Sequence, residues 1–230
     1  MRLVLWDIDH TLIATRGLGR HIFGVCFERV TGQRMEVQAA VDGMTEPVIF
    51  RETARLHGIA SDRAMFEEFA RCSAQEHRLR AAELREHGHA LPGAAAALAA
   101  VAELKDVVQT VVTGNVRPVA EVKLGAFGLG ARIRFECGGY GEDDDERAEL
   151  VRIAIRRTGE ALDVPVAAED VLLVGDTPAD VAAALDNGLR VLAVSSGRSS
   201  AADLHAAGAA KVITGLEDLA PLLGLLGQGA

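Results

Sequence analysis

The chain is poor in cysteine and has neither a long apolar run nor an excess of positive charge. Its three cysteines, Cys26, Cys72 and Cys137, show no paired spacing, which argues against a disulfide framework and favours a reducing compartment. No apolar run reaches the roughly 18 residues of a membrane-spanning helix, and the apolar start at residues 3–6 is too short for a signal peptide. We therefore expect a soluble cytoplasmic protein without a membrane partner.

Acidic residues exceed basic ones, with 33 Asp and Glu against 24 Lys and Arg in 230 residues and a net charge of −9. A surface this acidic repels a phosphate backbone, which argues against nucleic acid as a partner. A small phosphorylated metabolite is still compatible with this net charge as a substrate, because only the few groups around it must be positive. The length fits one domain or a core with an inserted unit.

Strands alternate with helices along most of the chain. Short apolar or β-branched runs predict strands at residues 3–8, 107–112, 132–137, 171–174, 191–194 and 211–213. Helical patterns occupy residues 18–30, 47–57, 61–86, 92–105, 115–127, 146–158, 178–186, 200–207 and the tail at 222–230. The alternation predicts an α/β fold with a Rossmann-like parallel sheet, formed by residues 1–14 and 91–230, and a helical insert at residues 15–90.

Polar residues follow three of the predicted strands. They are Asp7, Asp9, His10 and Thr11 after the first strand, Thr113, Gly114 and Asn115 after the second, and Gly175, Asp176 and Asp180 after the fourth. In an open parallel sheet the ligand site lies at the carboxyl ends of the strands, so these residues should meet there. Carboxylates crowded into a crevice repel one another, and a bound Mg²⁺ held by Asp7 and Asp176 would relieve that repulsion.

Each of these groups also has a purely structural interpretation. Aspartate is common at the end of a strand, where it can cap a turn, and Asp9 can have this role. Asp180 lies three residues after Thr177, which is the spacing of a helix capping box. Thr113 to Asn115 can be a simple strand-to-helix turn. The combination, rather than any single residue, therefore carries the functional interpretation.

In their order and spacing the motifs resemble those of the haloacid dehalogenase-like superfamily, whose members are mostly phosphatases. The first motif is Asp7-x-Asp9-x-Thr11, the second is Thr113, and the fourth is Gly175-Asp176-x-x-x-Asp180. The resemblance covers the whole chain and implies the fold of that superfamily, with the helical insert as a cap after the first strand.

The resemblance implies a covalent mechanism. Asp7 would attack phosphorus and form an aspartyl-phosphate. Asp9 would protonate the leaving oxygen and then deprotonate the attacking water. Thr113, Gly114 and Asn115 would bind the phosphoryl group, whose developing charge needs hydrogen-bond donors.

The resemblance also implies a metal site and a basic residue. Asp7, Asp176 supported by Asp180, and the backbone carbonyl of Asp9 would hold Mg²⁺. Relatives usually place a lysine at the start of the helix before the fourth motif, where this chain has Arg147. Lys123, ten residues after Thr113, is the alternative, with a side chain that would reach back along its helix. We favour Arg147 and leave Lys123 open.

The choice of reaction within the superfamily depends on a few further residues. Asp9 argues against a true dehalogenase, which needs no acid for a leaving group. Residues 15–90 contain no lysine to form a Schiff base, which excludes a phosphonatase-type reaction. The glycine pair at residues 17–19, the Thr113 turn and the Gly175 motif are similar to those of phosphoglycolate phosphatases, although Met44 stands where a basic residue is common.

We therefore predict a Mg²⁺-dependent phosphatase for a small phosphate monoester, with phosphoglycolate as one candidate. A sugar-phosphate mutase and a non-catalytic phosphate-binding module are the alternatives. His10, Arg20 and Thr45 are predicted to contact the substrate, and hinges are predicted at residues 15–17 and 87–91. The protein is expected to be a monomer or a homodimer.

Overall fold

The computed structural model describes residues 1–227 and centres on a parallel sheet. Its strands are β1 (Arg2–Trp6), β2 (Ile13–Ala14), β3 (His89–Ala90), β4 (Val107–Val111), β5 (Val171–Gly175), β6 (Arg190–Val194) and β7 (Val212–Ile213). Five of them form the sheet in the order β4-β1-β5-β6-β7, and each neighbouring pair is parallel. The predicted α/β fold with a parallel sheet is confirmed.

The described residues also form ten α-helices. They are α1 (Leu18–Thr31), α2 (Glu46–Leu56), α3 (Arg63–Leu79), α4 (Ala81–His87), α5 (Ala94–Ala102), α6 (Arg117–Ala126), α7 (Arg147–Leu162), α8 (Pro178–Asp186), α9 (Ala201–Ala206) and α10 (Ala220–Leu225). None of the helices in residues 1–227 is both long and apolar enough to cross a bilayer. The helix predicted at residues 222–230 corresponds to α10. Residues 228–230 of that prediction lie outside the described residues.

Both faces of the sheet are covered, which explains the unbroken apolar run of β1. Val4 and Trp6 pack with α5 and α6 on one face, whereas Leu3 and Leu5 pack with α7 and α8 on the other. This alternation follows from the period of two along a strand. Every residue from Leu3 to Trp6 is fully buried. The side chains of residues 3–6 are therefore buried on either face of the sheet, and this explains why all four are apolar.

Helices α1 to α4, hereafter the helical block, lie between β2 and β3 in the chain. These two short strands pair with each other in antiparallel fashion, and so bring the two ends of the block together. The block has its own apolar core, which includes five phenylalanines and continues onto Val116, just before α6, and Val119, within α6. Division of the chain into two domains at residues 14–15 and 90–91 stays a prediction.

Two predicted elements are wrong in detail. Residues 132–137 were predicted as a strand but form two short 3-10 turns, Gly130–Arg132 and Phe135–Cys137. The hydroxyl of Tyr140 donates to the Phe135 carbonyl at 2.5 Å, and this contact holds the chain in the turn. The predicted helix at residues 61–86 is interrupted at Arg80, which separates α3 from α4.

The cysteine spacing predicts no disulfide, and this prediction is also wrong. Cys26 on α1 and Cys72 on α3 form a disulfide with their Cα atoms 5.6 Å apart. The two helices pack side by side in the helical block, and sequence spacing carries no information about this packing. The remaining cysteine, Cys137, is free and buried.

Reduction should measurably weaken the helical block. The disulfide joins positions 46 residues apart, so breaking it restores chain entropy to the unfolded state. We expect the free energy of unfolding to fall by about 2–4 kcal/mol when urea denaturation is repeated in dithiothreitol. A Cys26→Ala, Cys72→Ala variant should not respond to the reductant, whereas Cys137→Ala should respond as the original protein does. Equal stability of the original protein with and without reductant would contradict the assignment.

Candidate active site

The carboxyl ends of three adjacent strands meet at one edge of the sheet. Asp7 follows β1, Thr113 comes two residues after β4, and Asp176 follows β5. The strand order β4-β1-β5 makes these ends neighbours. All three residues line a cavity of about 540 Å³, within the usual range for small-molecule sites. The predicted convergence of the motifs is therefore what the fold produces.

Buried carboxyl groups form the acidic part of this site. Oxygens of Asp7, Asp176 and Asp180 lie within 4.8 Å of one another. The Thr11 hydroxyl lies between two of them, 3.2 Å from Oδ2 of Asp7 and 3.3 Å from Oδ1 of Asp176. Burial raises the pKa of Asp7 to about 7, with Arg147 opposing the rise. Burial and repulsion from Asp7 and Asp180 raise the pKa of Asp176 to about 9.

The donor chemistry of this cluster fits a hard divalent cation. A cation beside Asp7 and Asp176 would stabilise their charged forms, which burial otherwise disfavours. Asp180 is less free to act as a ligand, because Oδ1 accepts from Nε of Arg147 at 2.7 Å and Oδ2 accepts from the Thr177 amide at 3.0 Å. It also forms a capping box with Thr177 at the start of α8. The capping role of Asp180 is therefore confirmed, whereas its contribution to a metal site stays a prediction.

The two basic candidates occupy different halves of the site. Arg147, at the first turn of α7, donates from Nη2 to Oδ1 of Asp7 at 2.6 Å and from Nε to Asp180. Lys123 on α6 donates to both oxygens of Asp9, at 2.9 and 2.7 Å. Both side chains are buried. Arg147 is thus the cation beside Asp7, and Lys123 is the cation beside Asp9.

Asp9 is held in place by a network that includes Asn115. The Asn115 side chain donates from Nδ2 to Oδ2 of Asp9 at 2.8 Å and to the Thr113 hydroxyl at 2.7 Å. Its Oδ1 accepts from Lys123 at 2.7 Å. Burial acts to raise the pKa of Asp9, but Lys123 and the hydrogen bonds together lower it below its usual value. The network therefore favours the ionised form of Asp9.

The predicted substrate contacts are brought to the cavity except for one. His10 and Arg20 line the cavity together with Thr113, Gly114 and Asn115. Arg20 is exposed and lies near Gln38, with Nη1 3.3 Å from Oε1. Thr45 does not line the cavity and so is not placed as a substrate contact. It is buried, and its hydroxyl donates to the Asp145 carbonyl at 3.3 Å.

Several residues that the sequence analysis did not single out also line the cavity. Glu46, at the start of α2, accepts from the Val116 amide at 2.9 Å, and its own amide donates to the Gly114 carbonyl at 2.8 Å. Burial raises the pKa of Glu46 to about 7. Ser73 and His77 contribute from α3. The helical block thus rests directly on the turn after β4 and closes one side of the cavity.

Gly197 gives a test of how tightly Asp176 is packed. The loop after β6 passes so close to Asp176 that a Cβ at Gly197 would overlap Oδ2 of that carboxylate. We expect Gly197→Ala to displace Asp176 and to weaken Mg²⁺ binding by about 10- to 100-fold in titration calorimetry. Gly125→Ala on α6 is the matched control, since a Cβ there meets nothing within 4 Å. Unchanged Mg²⁺ affinity in Gly197→Ala would contradict the prediction that Asp176 binds a metal ion.

Comparison with known proteins is consistent with this geometry. The family model of haloacid dehalogenase-like hydrolases matches residues 4–185. No curated protein gives a significant match.

Solved structures of other proteins share the fold, among them the three that follow. A hydrolase from Pseudomonas syringae has 19% identity and a TM-score of 0.69, with 97% of this chain and 98% of that one covered. A predicted phosphatase from Clostridium acetobutylicum has 18% identity, a TM-score of 0.68 and coverage of 96% and 97%. A predicted phosphoglycolate phosphatase from Haemophilus somnus has 14% identity, a TM-score of 0.63 and coverage of 97% and 98%.

Proposed function

Because the chain belongs to the haloacid dehalogenase-like hydrolase family, we propose that it is a Mg²⁺-dependent phosphatase that hydrolyses a small phosphate monoester through an aspartyl-phosphate on Asp7. One observation carries the proposal. The buried carboxyl pair of Asp7 and Asp176 faces a cavity whose wall also presents the cations of Arg147 and Lys123. The same cavity therefore contains carboxylates that can bind a metal ion and cations that can bind an anion.

In this proposal Asp7, Asp176 and the backbone carbonyl of Asp9 hold Mg²⁺, with Asp180 in support. When bound, the metal neutralises the carboxylates and the phosphoryl oxygens. Arg147 contacts Asp7 and so lies where it can also bind a phosphoryl oxygen. The Thr113 hydroxyl accepts two hydrogen bonds from Asn115, which leaves its own hydrogen free for the substrate.

The chemistry then proceeds in two displacements. A carboxylate oxygen of Asp7 attacks phosphorus and the bond to the ester oxygen breaks. Asp9, which must first take up a proton from water although Lys123 favours its ionised form, gives that proton to the leaving alkoxide. Asp9, now ionised, takes a proton from water, which attacks the phosphoryl group and releases inorganic phosphate. The pairing of Asp9 with Lys123 favours the ionised state that this second step requires.

The helical block is proposed as a cap, residues 15–90, over a core of residues 1–14 and 91–230. The proposed cap contributes Arg16, Arg20 and Glu46 to the cavity, so closure would exclude water during transfer. Arg16 and Arg20 could pair with a second anionic group, which keeps phosphoglycolate among the candidates. The structure of a predicted phosphoglycolate phosphatase among the relatives supports testing it.

A panel of phosphate esters tests the function. Inorganic phosphate release is measured with phosphoglycolate, glycerol 3-phosphate, glucose 6-phosphate and propyl phosphate, each with Mg²⁺ and with excess EDTA. The proposal predicts release from at least one ester in Mg²⁺ and none in EDTA. Formation of an isomeric sugar phosphate without release would indicate the mutase. Binding without any turnover would indicate the binding module.

A further inference from the structure

A buried histidine that the proposed chemistry does not use lines the cavity on the side of the helical block. His77, on α3, is 4% exposed. Its Nδ1 lies 2.8 Å from the backbone carbonyl of Ser73. A carbonyl can only accept, so Nδ1 carries the hydrogen and Nε2 presents a lone pair. Burial lowers the pKa of His77 to about 4, so this ring is neutral near neutral pH.

The lone pair on Nε2 has no donor to satisfy it among residues 1–227, although the atom is buried. Native proteins rarely leave a buried polar atom without a partner. Lys123 acts electrostatically on His77, but its three ammonium hydrogens already go to the two oxygens of Asp9 and to Oδ1 of Asn115. The Nε2 acceptor therefore has no partner among the described residues, and because His77 lines the cavity, a molecule bound there is the group that can supply one.

We propose that Nε2 of His77 accepts a hydrogen bond from a hydroxyl group of the substrate, so that the protein selects phosphate esters of polyols or sugars. This inference rests on the proposed phosphatase function and deepens it by naming a substrate class. The phosphoryl group belongs at Asp7 and Thr113, at the strand ends. His77 comes from the helical block instead, so the group that it meets belongs to the alcohol part of the ester.

The shape and lining of the cavity agree with such a substrate. A volume of about 540 Å³ holds a phosphate together with an alcohol of several carbons. Phe23 provides an apolar surface for carbons, while Ser73 and His77 provide polar groups on the neighbouring helix. An ionised carboxylate such as that of phosphoglycolate has no hydrogen to give to Nε2, so His77 adds nothing to its binding.

Binding to the Asp7→Asn protein in Mg²⁺ tests the inference without depending on turnover. Titration calorimetry compares two matched pairs: glycerol 3-phosphate with propyl phosphate, and glucose 6-phosphate with cyclohexylmethyl phosphate. The members of the first pair share the phosphate and the three-carbon skeleton and differ in hydroxyl groups. Those of the second pair share a phosphorylated methylene on a six-membered ring and differ in hydroxyl groups and in the ring oxygen, which a carbon replaces. We expect at least one hydroxylated ester to bind about ten-fold or more tightly than its partner.

Variants of His77 assign this preference to its acceptor. His77→Phe should reduce the ratio of the two affinities to near one while the apolar ester still binds. His77→Gln, whose amide oxygen can accept, should restore part of the ratio. His87→Phe is the matched control, because His87 is an exposed residue of the same block, and it should keep the full ratio. Thermal unfolding of each variant confirms that it is folded.

Two results would overturn the inference. One is that neither hydroxylated ester binds more tightly than its partner. This includes the case in which neither hydroxylated ester binds at all. The other is a preference that His77→Phe leaves unchanged. Hydrolysis of propyl phosphate by the unaltered protein tests the proposed phosphatase separately, because that ester has no second hydroxyl. The phosphatase proposal can therefore stand when the inference about His77 fails.

Discussion

Asp7→Asn is expected to reduce kcat by at least about 10⁴-fold, because the amide is a poor nucleophile and no second carboxylate occupies its position. Binding of inorganic phosphate should persist, since Thr113, the Gly114 amide and Arg147 are unchanged. Steady-state phosphate release and calorimetric titration with phosphate measure the two effects separately. Loss of turnover with retained binding is the expected pattern.

An exposed aspartate supplies the control for this result. Asp186 lies at the end of α8, and Asp186→Asn removes the same charge far from the strand ends that carry Asp7. It should leave kcat within about two-fold of the original, as expected of a surface change. An Asp7→Asn protein that keeps more than about a tenth of the original kcat would contradict the nucleophile assignment.

Arg147→Met is expected to have the second-largest effect, on both stability and activity. The guanidinium lies between Asp7 and Asp180, and its removal leaves buried carboxylates without their counter-charge. Breaking a buried ion pair in this way costs about 3–5 kcal/mol of unfolding free energy. Loss of the cation beside Asp7 should also lower kcat by about 10²- to 10³-fold, because it would stabilise the transferring phosphoryl group.

The loss of stability in Arg147→Met should be larger at high pH than at low pH, because the buried carboxyl group of Asp7 becomes charged as the pH rises. Without Arg147 the folded-state pKa of Asp7 rises further above its unfolded value, so the charged form of Asp7 destabilises the fold at high pH. Protonation removes this penalty as the pH falls. Urea denaturation in EDTA should therefore show a larger difference between variant and original at pH 8 than at pH 5.

The control for Arg147→Met lies on the same helix. Arg156 forms an exposed pair with Glu160, and Arg156→Met should change stability by less than about 1 kcal/mol at either pH. A loss in Arg147→Met no greater than in Arg156→Met would contradict the buried ion-pair account. Full activity in Arg147→Met would shift the role of the basic residue that binds the phosphoryl group to Lys123.

The parts of the site on the sheet were predictable because parallel strands end at the same edge. Asp7, Thr113 and Asp176 each follow an apolar run, and local sequence alone places them at strand ends. The capping box of Thr177 and Asp180 is also a local pattern, so its helix start at Pro178 was predicted to the residue. These features depend on residues within a few positions of one another.

The contributions of the helical block were not predictable in the same way. Amphipathic periodicity shows that α3 has a buried face, but not that Ser73 and His77 on that face meet the cavity. The disulfide of Cys26 and Cys72 depends likewise on how α1 packs against α3. Residues 132–137 have an apolar pattern, yet the Tyr140 contact and nearby glycines favour turns. Each of these features is set by packing between distant segments.

A direct search for phosphorylated Asp7 tests the central claim. The protein is mixed with a substrate ester in Mg²⁺, quenched in acid during turnover, and treated with borohydride, which reduces an acyl phosphate to an alcohol. Peptide mass spectrometry then locates the modified residue. The account predicts that Asp7 is recovered as homoserine in the original protein and that Asp7→Asn shows no modification. Turnover without modification of Asp7, or with modification at another carboxylate, would contradict the account.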